Sequence, residues 1–138
     1  MAKKTKQDPV YDAGMKARRR ILGEKYVDRA VKKIRPHTRD FQDYVVRSAW
    51  QVWTRPGLDD RTRRLLVLGT MVAIGRWEEF VMHARAALEA GMSIKDIEEV
   101  LIQQGVYCGV PAANTAFHHI NDLIDAMKKE GVKIKGLK

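Results

Sequence analysis

Three side chains suited to proton transfer or anion binding recur at helical spacing near the middle of the chain. Arg76, Glu79 and His83 stand at i, i+3 and i+7, so on an α-helix they share one face. A carboxylate beside an imidazole suits acid–base chemistry, and a guanidinium holds a planar carboxylate through two hydrogen bonds. On an otherwise apolar helix such groups must satisfy one another or serve a ligand. The spacing predicts either a structural ion-pair network or a site for proton transfer on an anionic substrate.

Both interpretations stay open for each of these residues. His83 fits a half-buried structural histidine, and it also fits an acid–base residue that Glu79 orients and makes more basic. Arg76 fits an ion-pair partner of Glu79, and it also fits a ligand for a substrate carboxylate. Glu78 does not share the His83 face, so we expect its side chain to point to solvent.

Further polar candidates lie outside this helix. Trp53 and Arg55 stand beside the Pro56-Gly57 turn, where an aromatic residue fits a lid over a pocket. His118 is expected to face inward, which rotates the neighbouring His119 away from the interior. Either histidine also fits an ordinary surface position.

The composition is that of a globular protein with an excess of positive charge. The chain has 138 residues, of which 45% are hydrophobic and 31% charged, and this length fits one domain with its own core. The longest apolar stretch, near Leu65–Ile74, is shorter than the ~20 residues of a membrane-spanning helix. The N-terminal lysines precede no apolar segment, so we expect no signal peptide and a cytoplasmic location. The single cysteine, Cys108, excludes an intrachain disulfide.

The net charge of +9 raises nucleic-acid binding as a competing function. The basic residues concentrate at the two ends of the chain and are otherwise spread over several predicted helices. No helix-turn-helix, RNA-recognition or zinc-finger pattern is present, and no metal-ligand spacing, phosphate loop or dinucleotide fingerprint occurs. The distribution therefore disfavours a nucleic-acid partner, although a basic binding protein without catalytic activity stays an alternative. A field of this sign also attracts small anions.

The hydrophobic periodicity is helical throughout, and no polar–apolar alternation argues for a sheet. Capping and turn residues predict seven helices: Asp8–Leu22, Tyr26–Ile34, His37–Val52, Asp59 or Asp60 to Ile74, Arg76–Glu89, one after Ser93 and one after Pro111. The second half of the fourth is apolar on all sides, so it should be the central buried helix. We predict an all-α, compact single domain over residues 8–130. A disordered basic tail at residues 1–7 and a basic C-terminal tail at residues 131–138 flank it.

Several segments, taken in chain order, resemble one known family. They are Tyr11–Met15, Trp53–Leu58, His83–Leu88, Ile97–Leu101 and Tyr107–Asn114. Their order and spacing are similar to those of the carboxymuconolactone decarboxylase family, over residues 11–127. The resemblance implies a helical subunit of the alkylhydroperoxidase-D-like type that assembles as a homo-oligomer, a hexamer or a trimer.

The resemblance also implies a reaction, the decarboxylation of 4-carboxymuconolactone to the enol-lactone of β-ketoadipate in protocatechuate degradation. Electrons left by the departing carbon dioxide delocalise onto the lactone carbonyl, so we expect neither a cofactor nor a metal. His83 would transfer the proton and Glu79 would orient it. The residues expected to bind this anionic lactone are Arg76, Arg55, Trp53 and His118. A paralogous enzyme acting on another lactone or β-keto-acid-like compound is the alternative.

A related branch, the alkylhydroperoxidase-D-like proteins, carries a Cys-x-x-Cys pair seven and four residues before the histidine that matches His83. Arg76 and Glu79 occupy those two positions here. The redox dithiol of that branch is therefore absent, and we do not expect a peroxidase of that type.

Overall fold

The computed structural model describes residues 8–138, and these form seven α-helices and one 3₁₀ turn without a strand. The predicted all-α class is confirmed. The chain divides into two compact units, Met1–Leu58 and Asp59–Lys138. The predicted basic tail at residues 1–7 lies outside the described residues.

The first unit differs from prediction mainly at the start of its second helix. Its elements are α1 (Pro9–Leu22), α2 (Glu24–Lys32), a 3₁₀ turn (Pro36–Thr38) and α3 (Arg39–Val52). The predicted cap of α1 is confirmed, since the Asp8 carboxylate accepts hydrogen bonds from the N–H groups of Val10 and Tyr11. Helix α2 begins two residues earlier than predicted. Gly23, at φ +89°, lets the chain turn sharply and start a new helix at once.

Helix α1 packs against α3 through a glycine at the contact. Gly14 is buried, and a Cβ built on it would overlap the carbonyl oxygen of Val46. The same Cβ would lie 3.1 Å from the Val46 carbonyl carbon and 3.2 Å from its Cγ1. Because the obstructing atoms belong mainly to the backbone of α3, a larger residue would force the two helices apart.

We therefore expect Gly14→Ala to lower the free energy of unfolding by about 2–3 kcal/mol, the usual cost of overpacking a rigid contact. Urea unfolding followed by circular dichroism measures the change. Gly57→Ala is the matched control, because no atom lies within 4 Å of the Cβ it would add. An unchanged midpoint for Gly14→Ala would show that α1 and α3 separate easily.

The second unit is a four-helix assembly whose predicted caps are confirmed. Its helices are α4 (Asp60–Ile74), α5 (Trp77–Glu89), α6 (Ile94–Tyr107) and α7 (Val110–Lys129). The Asp59 carboxylate accepts a hydrogen bond from the Thr62 N–H at 2.7 Å and begins α4. Ser93 and Asp96 form the reciprocal capping box that begins α6.

The core of this unit is a single cluster of buried apolar side chains contributed by all four helices. Its members are Leu68, Val72, Phe80, Ala84, Leu88, Ile97, Leu101, Ala116, Ile120, Leu123 and Met127. The expectation that α4 is the central buried helix holds for only one of its faces, because Leu66 is 56% exposed and Ile74 61% exposed. Helices α5, α6 and α7 cover one face of α4 and leave an apolar face open.

The segment 131–138 continues past α7 without forming a helix. Val132 and Ile134 pack against the core cluster, and the Lys135 carbonyl accepts a hydrogen bond from the Ile94 N–H at 2.9 Å. The end of the chain thus supplies one of the acceptors at the start of α6. Within residues 8–138, no helix is both long and apolar enough to cross a membrane.

Candidate active site

Helix α5 holds the three residues whose spacing first suggested chemistry. Gly75 ends α4 in a left-handed conformation at φ +69°, and Arg76 then caps the start of α5. Glu78 and Glu79 lie in the first turn, where carboxylates interact favourably with the helix dipole. Apolar residues of α5 pack in the core of the second unit. This packing sets the rotation of the helix about its axis, and so sets the position of His83.

His83 is a buried neutral imidazole in this fold. It is 9% exposed, and its pKa falls from 6.5 to about 4. Burial, which disfavours the charged ring, is the largest cause, and the nearby charge of Arg64 lowers the pKa further. The Glu79 carboxylate acts in the opposite direction. The expected effect of Glu79 on the basicity of the histidine is therefore present, but burial and Arg64 outweigh it.

Glu79 is ionised and bonded to Arg76. The Arg76 Nη2 donates to the Glu79 Oε1 at 2.6 Å, and this hydrogen bond is the main reason that the pKa of Glu79 is lowered. Of the two predicted roles of Arg76, the structure contains the ion pair with Glu79. Glu78 is exposed, as expected, whereas Glu79 is only half-buried and directs its charge toward His83.

Arg64, in α4, is the one site residue that the sequence interpretation missed. It is 5% exposed, and its positive charge lowers the pKa of His83. The sequence contains a signal for the burial of this arginine. Leu68 and Val72 follow Arg64 at i+4 and i+8 on the same helix face, and both belong to the core cluster. An arginine at a core position of an amphipathic helix is costly unless it has a function or a partner. The many other basic residues of the chain obscure this one buried position in the sequence.

Arg64 and His83 together give the interior of the second unit a permanent cation beside a neutral base. A guanidinium stays charged at neutral pH even when buried, and it matches the geometry of a carboxylate. An anion arriving next to the imidazole would favour its protonated form and raise its pKa. This arrangement can therefore attract a carboxylate and load His83 with a proton at the same time.

The remaining predicted site residues have varied positions. Trp53 caps α3 in the first unit, with its ring stacked on Trp50 at 5.9 Å, and Arg55 is exposed in the following turn. The predicted orientations of the two histidines of α7 are wrong. His118 is exposed, whereas His119 is half-buried and stacks on Trp77 with ring centroids 5.2 Å apart.

One cavity of the second unit lies apart from the candidate catalytic residues. It is an open groove between α4 and α6, and Leu66, Ile102 and Val106 are among the residues along it. None of Arg64, Glu79 or His83 lines the groove. Over residues 8–138, no group of three or more His, Cys, Asp or Glu side chains is arranged to hold a metal ion.

Comparison with known proteins gives a consistent result. The family model described as the carboxymuconolactone decarboxylase family matches residues 39–122, which include Arg64, Glu79 and His83. A 4-carboxymuconolactone decarboxylase from Acinetobacter baylyi is 38% identical over 109 residues, covering 78% of this chain and 81% of that protein. The nitrosuccinic acid decarboxylase npaB from Metarhizium robertsii is 37% identical over 121 residues, covering 84% of this chain and 85% of that protein.

Proposed function

Because this chain belongs to the carboxymuconolactone decarboxylase family, we propose that it is a decarboxylase of a small dicarboxylate, with a site built on His83 and Arg64. The observation that carries the proposal is the neutral, buried imidazole of His83 beside the buried guanidinium of Arg64. A decarboxylase must attract a carboxylate, remove it from water and return a proton to carbon. These two side chains supply the charge and the proton carrier.

The proposed substrate is 4-carboxymuconolactone and the proposed product is the enol-lactone of β-ketoadipate. The name of the relative from Acinetobacter baylyi supports this choice. In this compound the departing carboxylate is attached to a carbon conjugated with the lactone carbonyl. When the carbon–carbon bond breaks, carbon dioxide leaves and the electron pair delocalises onto the carbonyl oxygen. One proton must then be added to carbon to give the product.

His83 is the proposed proton carrier in this reaction. Before substrate binds, His83 is neutral at pH 7, and a bound dicarboxylate next to it would raise its pKa so that it takes up a proton. His83 then donates this proton to the carbon that has gained electron density, while Arg64 balances the negative charge. Glu79 supports the protonated ring through its own charge, and Arg76 holds Glu79 in place. Trp53, Arg55 and His118 stay predicted substrate contacts.

A second substrate is favoured by the relative from Metarhizium robertsii, which carries the name of a nitrosuccinic acid decarboxylase at nearly the same identity. Nitrosuccinic acid is also a dicarboxylate, and its nitro group can accept the electron pair that the lactone carbonyl accepts in 4-carboxymuconolactone. The residues proposed here therefore suit both reactions. A paralogous decarboxylase that acts on another activated dicarboxylate is the alternative function.

The deciding experiment is a decarboxylation assay with the full chain and each of the two compounds. Carbon dioxide release and substrate loss are followed without added metal or nucleotide. In deuterium oxide, the product should contain one deuterium on carbon for each carbon dioxide released. Turnover of the lactone alone would establish the first proposal, turnover of nitrosuccinate alone would establish the alternative, and turnover of neither by folded protein would contradict both.

A group of exposed apolar side chains from α4, α6 and the start of α7 supports a further part of the proposal, self-association. We define it as the apolar face: Leu66, Ile102, Val106, Tyr107 and Val110. All five side chains belong to the second unit and are more than half exposed. Exposed apolar side chains gathered along one groove and one helix junction are characteristic of a surface that another protein covers. A second copy of the chain is the proposed occupant, in a homohexamer or homotrimer.

Val106→Glu places a charge at the centre of the apolar face, so we expect it to reduce the molar mass in solution, because a buried unpaired carboxylate opposes association. Size-exclusion chromatography with light scattering measures the mass against multiples of the 15.8 kDa chain. Val31→Glu is the matched control at an exposed valine outside the face. A monomeric parent protein, or an unchanged mass for Val106→Glu, would contradict this interface.

A further inference from the structure

The basic run of α1 contains one arginine whose surroundings differ from those of its neighbours. Arg19 donates to the carboxylates of Glu24 at 2.6 Å and Asp28 at 2.7 Å. Arg20 donates to the Trp53 carbonyl at 3.0 Å. Arg18, which directly precedes Arg19, is only 8% exposed. Its Nε and Nη1 atoms are buried and have no hydrogen-bond acceptor among residues 8–138. Two neighbouring cations are thus compensated, while the buried one is not.

The helical geometry of α1 explains why Arg18 is buried. Gly14, Ala17, Ile21 and Leu22 form the buried side of this helix, and Arg18 lies at i+4 from the first and i−4 from the last. An arginine on such a face usually extends its head group to water. Two of the three nitrogens of the Arg18 head group, Nε and Nη1, are instead buried.

Among residues 8–138, the groups that act on the charge of Arg18 include no carboxylate. Burial is the main cause that lowers its pKa, the phenol groups of Tyr26 and Tyr11 would raise the pKa once ionised, and the charge of Arg19 lowers it. A guanidinium nevertheless keeps its proton at neutral pH. A permanent charge is therefore held inside the first unit next to two hydroxyl-bearing rings.

A buried charge without a partner lowers the stability of a fold. The net stability of a domain is small, so this cost is a large fraction of it. An anion that accepts hydrogen bonds from this head group would recover part of this free energy. A planar carboxylate matches one edge of a guanidinium, either Nε with Nη2 or Nη1 with Nη2, through two parallel hydrogen bonds, so it would satisfy one of the two buried nitrogens.

We propose that Arg18 is the centre of a binding site for a small-molecule carboxylate in the first unit, with Tyr11 and Tyr26 beside it. The site is distinct from the roles proposed for Arg64 and His83, and the argument for it does not depend on the reaction. The ligand must be small, because the side chain that receives it is almost completely buried. Succinate is a small carboxylate and serves as the probe.

Succinate binding to the full chain tests the proposal, by calorimetric titration and by the shift in Tm in a buffer otherwise free of carboxylates and phosphate. The parent protein should bind succinate saturably and melt at a higher temperature as its concentration rises. Arg18→Met should weaken binding at least tenfold, a loss of about 1.4 kcal/mol. Without succinate it should melt no lower than the parent, because an apolar side chain suits a dry site.

Arg19→Met is the matched control, since it removes the adjacent charge, which Glu24 and Asp28 already compensate. It should leave the succinate affinity within a factor of two of the parent. Should Arg18→Met not fold, Arg18→Lys keeps the charge without the planar fork, and succinate should bind it more weakly than the parent.

Two results would overturn the Arg18 site. One is the absence of saturable succinate binding to the folded parent protein. That result would favour a carboxylate of another protein chain as the partner of Arg18. The other is succinate binding that survives Arg18→Met and disappears in Arg64→Met, which would assign the carboxylate to the site of the proposed reaction. Because decarboxylase activity enters neither result, a failure here leaves the proposed function untouched.

Discussion

We expect His83→Asn to lower kcat for decarboxylation by ~100-fold or more, the usual contribution of a positioned general acid or base. The asparagine side chain keeps a polar group at the position but cannot carry a proton between water and carbon. Steady-state kinetics with the substrate identified by the assay above measures the effect. KM should change far less than kcat, because binding of the anion depends chiefly on the charge of Arg64.

The control for this variant is His37→Asn, an exposed histidine of the 3₁₀ turn in the first unit. It should keep the parent kcat. Circular dichroism and Tm must show that His83→Asn retains the fold, because the imidazole is buried. Near-parental turnover by a folded His83→Asn protein would exclude His83 as the proton carrier.

We expect Arg64→Met to lower kcat/KM by about 100-fold, because a buried charged contact to an anion contributes roughly 2–5 kcal/mol when one partner is truncated. Most of the loss should appear as a higher KM, since the substrate carboxylate would no longer interact with the positive charge of Arg64. The fold should survive, because replacing a buried charge by an apolar side chain of similar length is often neutral or stabilising.

The same variant changes the titration of His83 in a direction that the structure dictates. The positive charge of Arg64 is one of the two causes that hold the pKa of His83 at about 4. Without that charge the protonated ring is less disfavoured, so the pKa rises toward 6.5 while the effect of burial persists. Titration of the imidazole resonance by nuclear magnetic resonance measures the pKa in both proteins.

Arg85→Met is the control for charge alone. Arg85 lies on α5 two residues after His83, and its guanidinium is paired with Glu89 and Glu130. It should leave the pKa of His83 and kcat/KM close to the parent values. A pKa of about 4 that persists in Arg64→Met would show that burial alone lowers it, and would remove the argument that Arg64 and His83 act together.

Much of the fold follows from the sequence because helix ends depend on local chemistry. Asp8, Asp59 and Ser93 each supply a side-chain oxygen to N–H groups two or three residues ahead, so the starts of α1, α4 and α6 follow from neighbouring residues alone. The start of α2 did not follow, because its position depends on the backbone conformation of Gly23, which the sequence leaves free.

The sequence by itself also determined the common face of Arg76, Glu79 and His83, because helical periodicity alone sets which residues are neighbours on one helix. Which of two adjacent histidines on α7 faces inward was decided only by packing, since a rotation of one position exchanges them and Trp77 contacts His119. The burial of Arg64 and Arg18, the low pKa of His83 and the open face of α4 were also decided only by the tertiary structure. Each depends on which other helices cover a side chain, and desolvation comes from atoms distant in the chain.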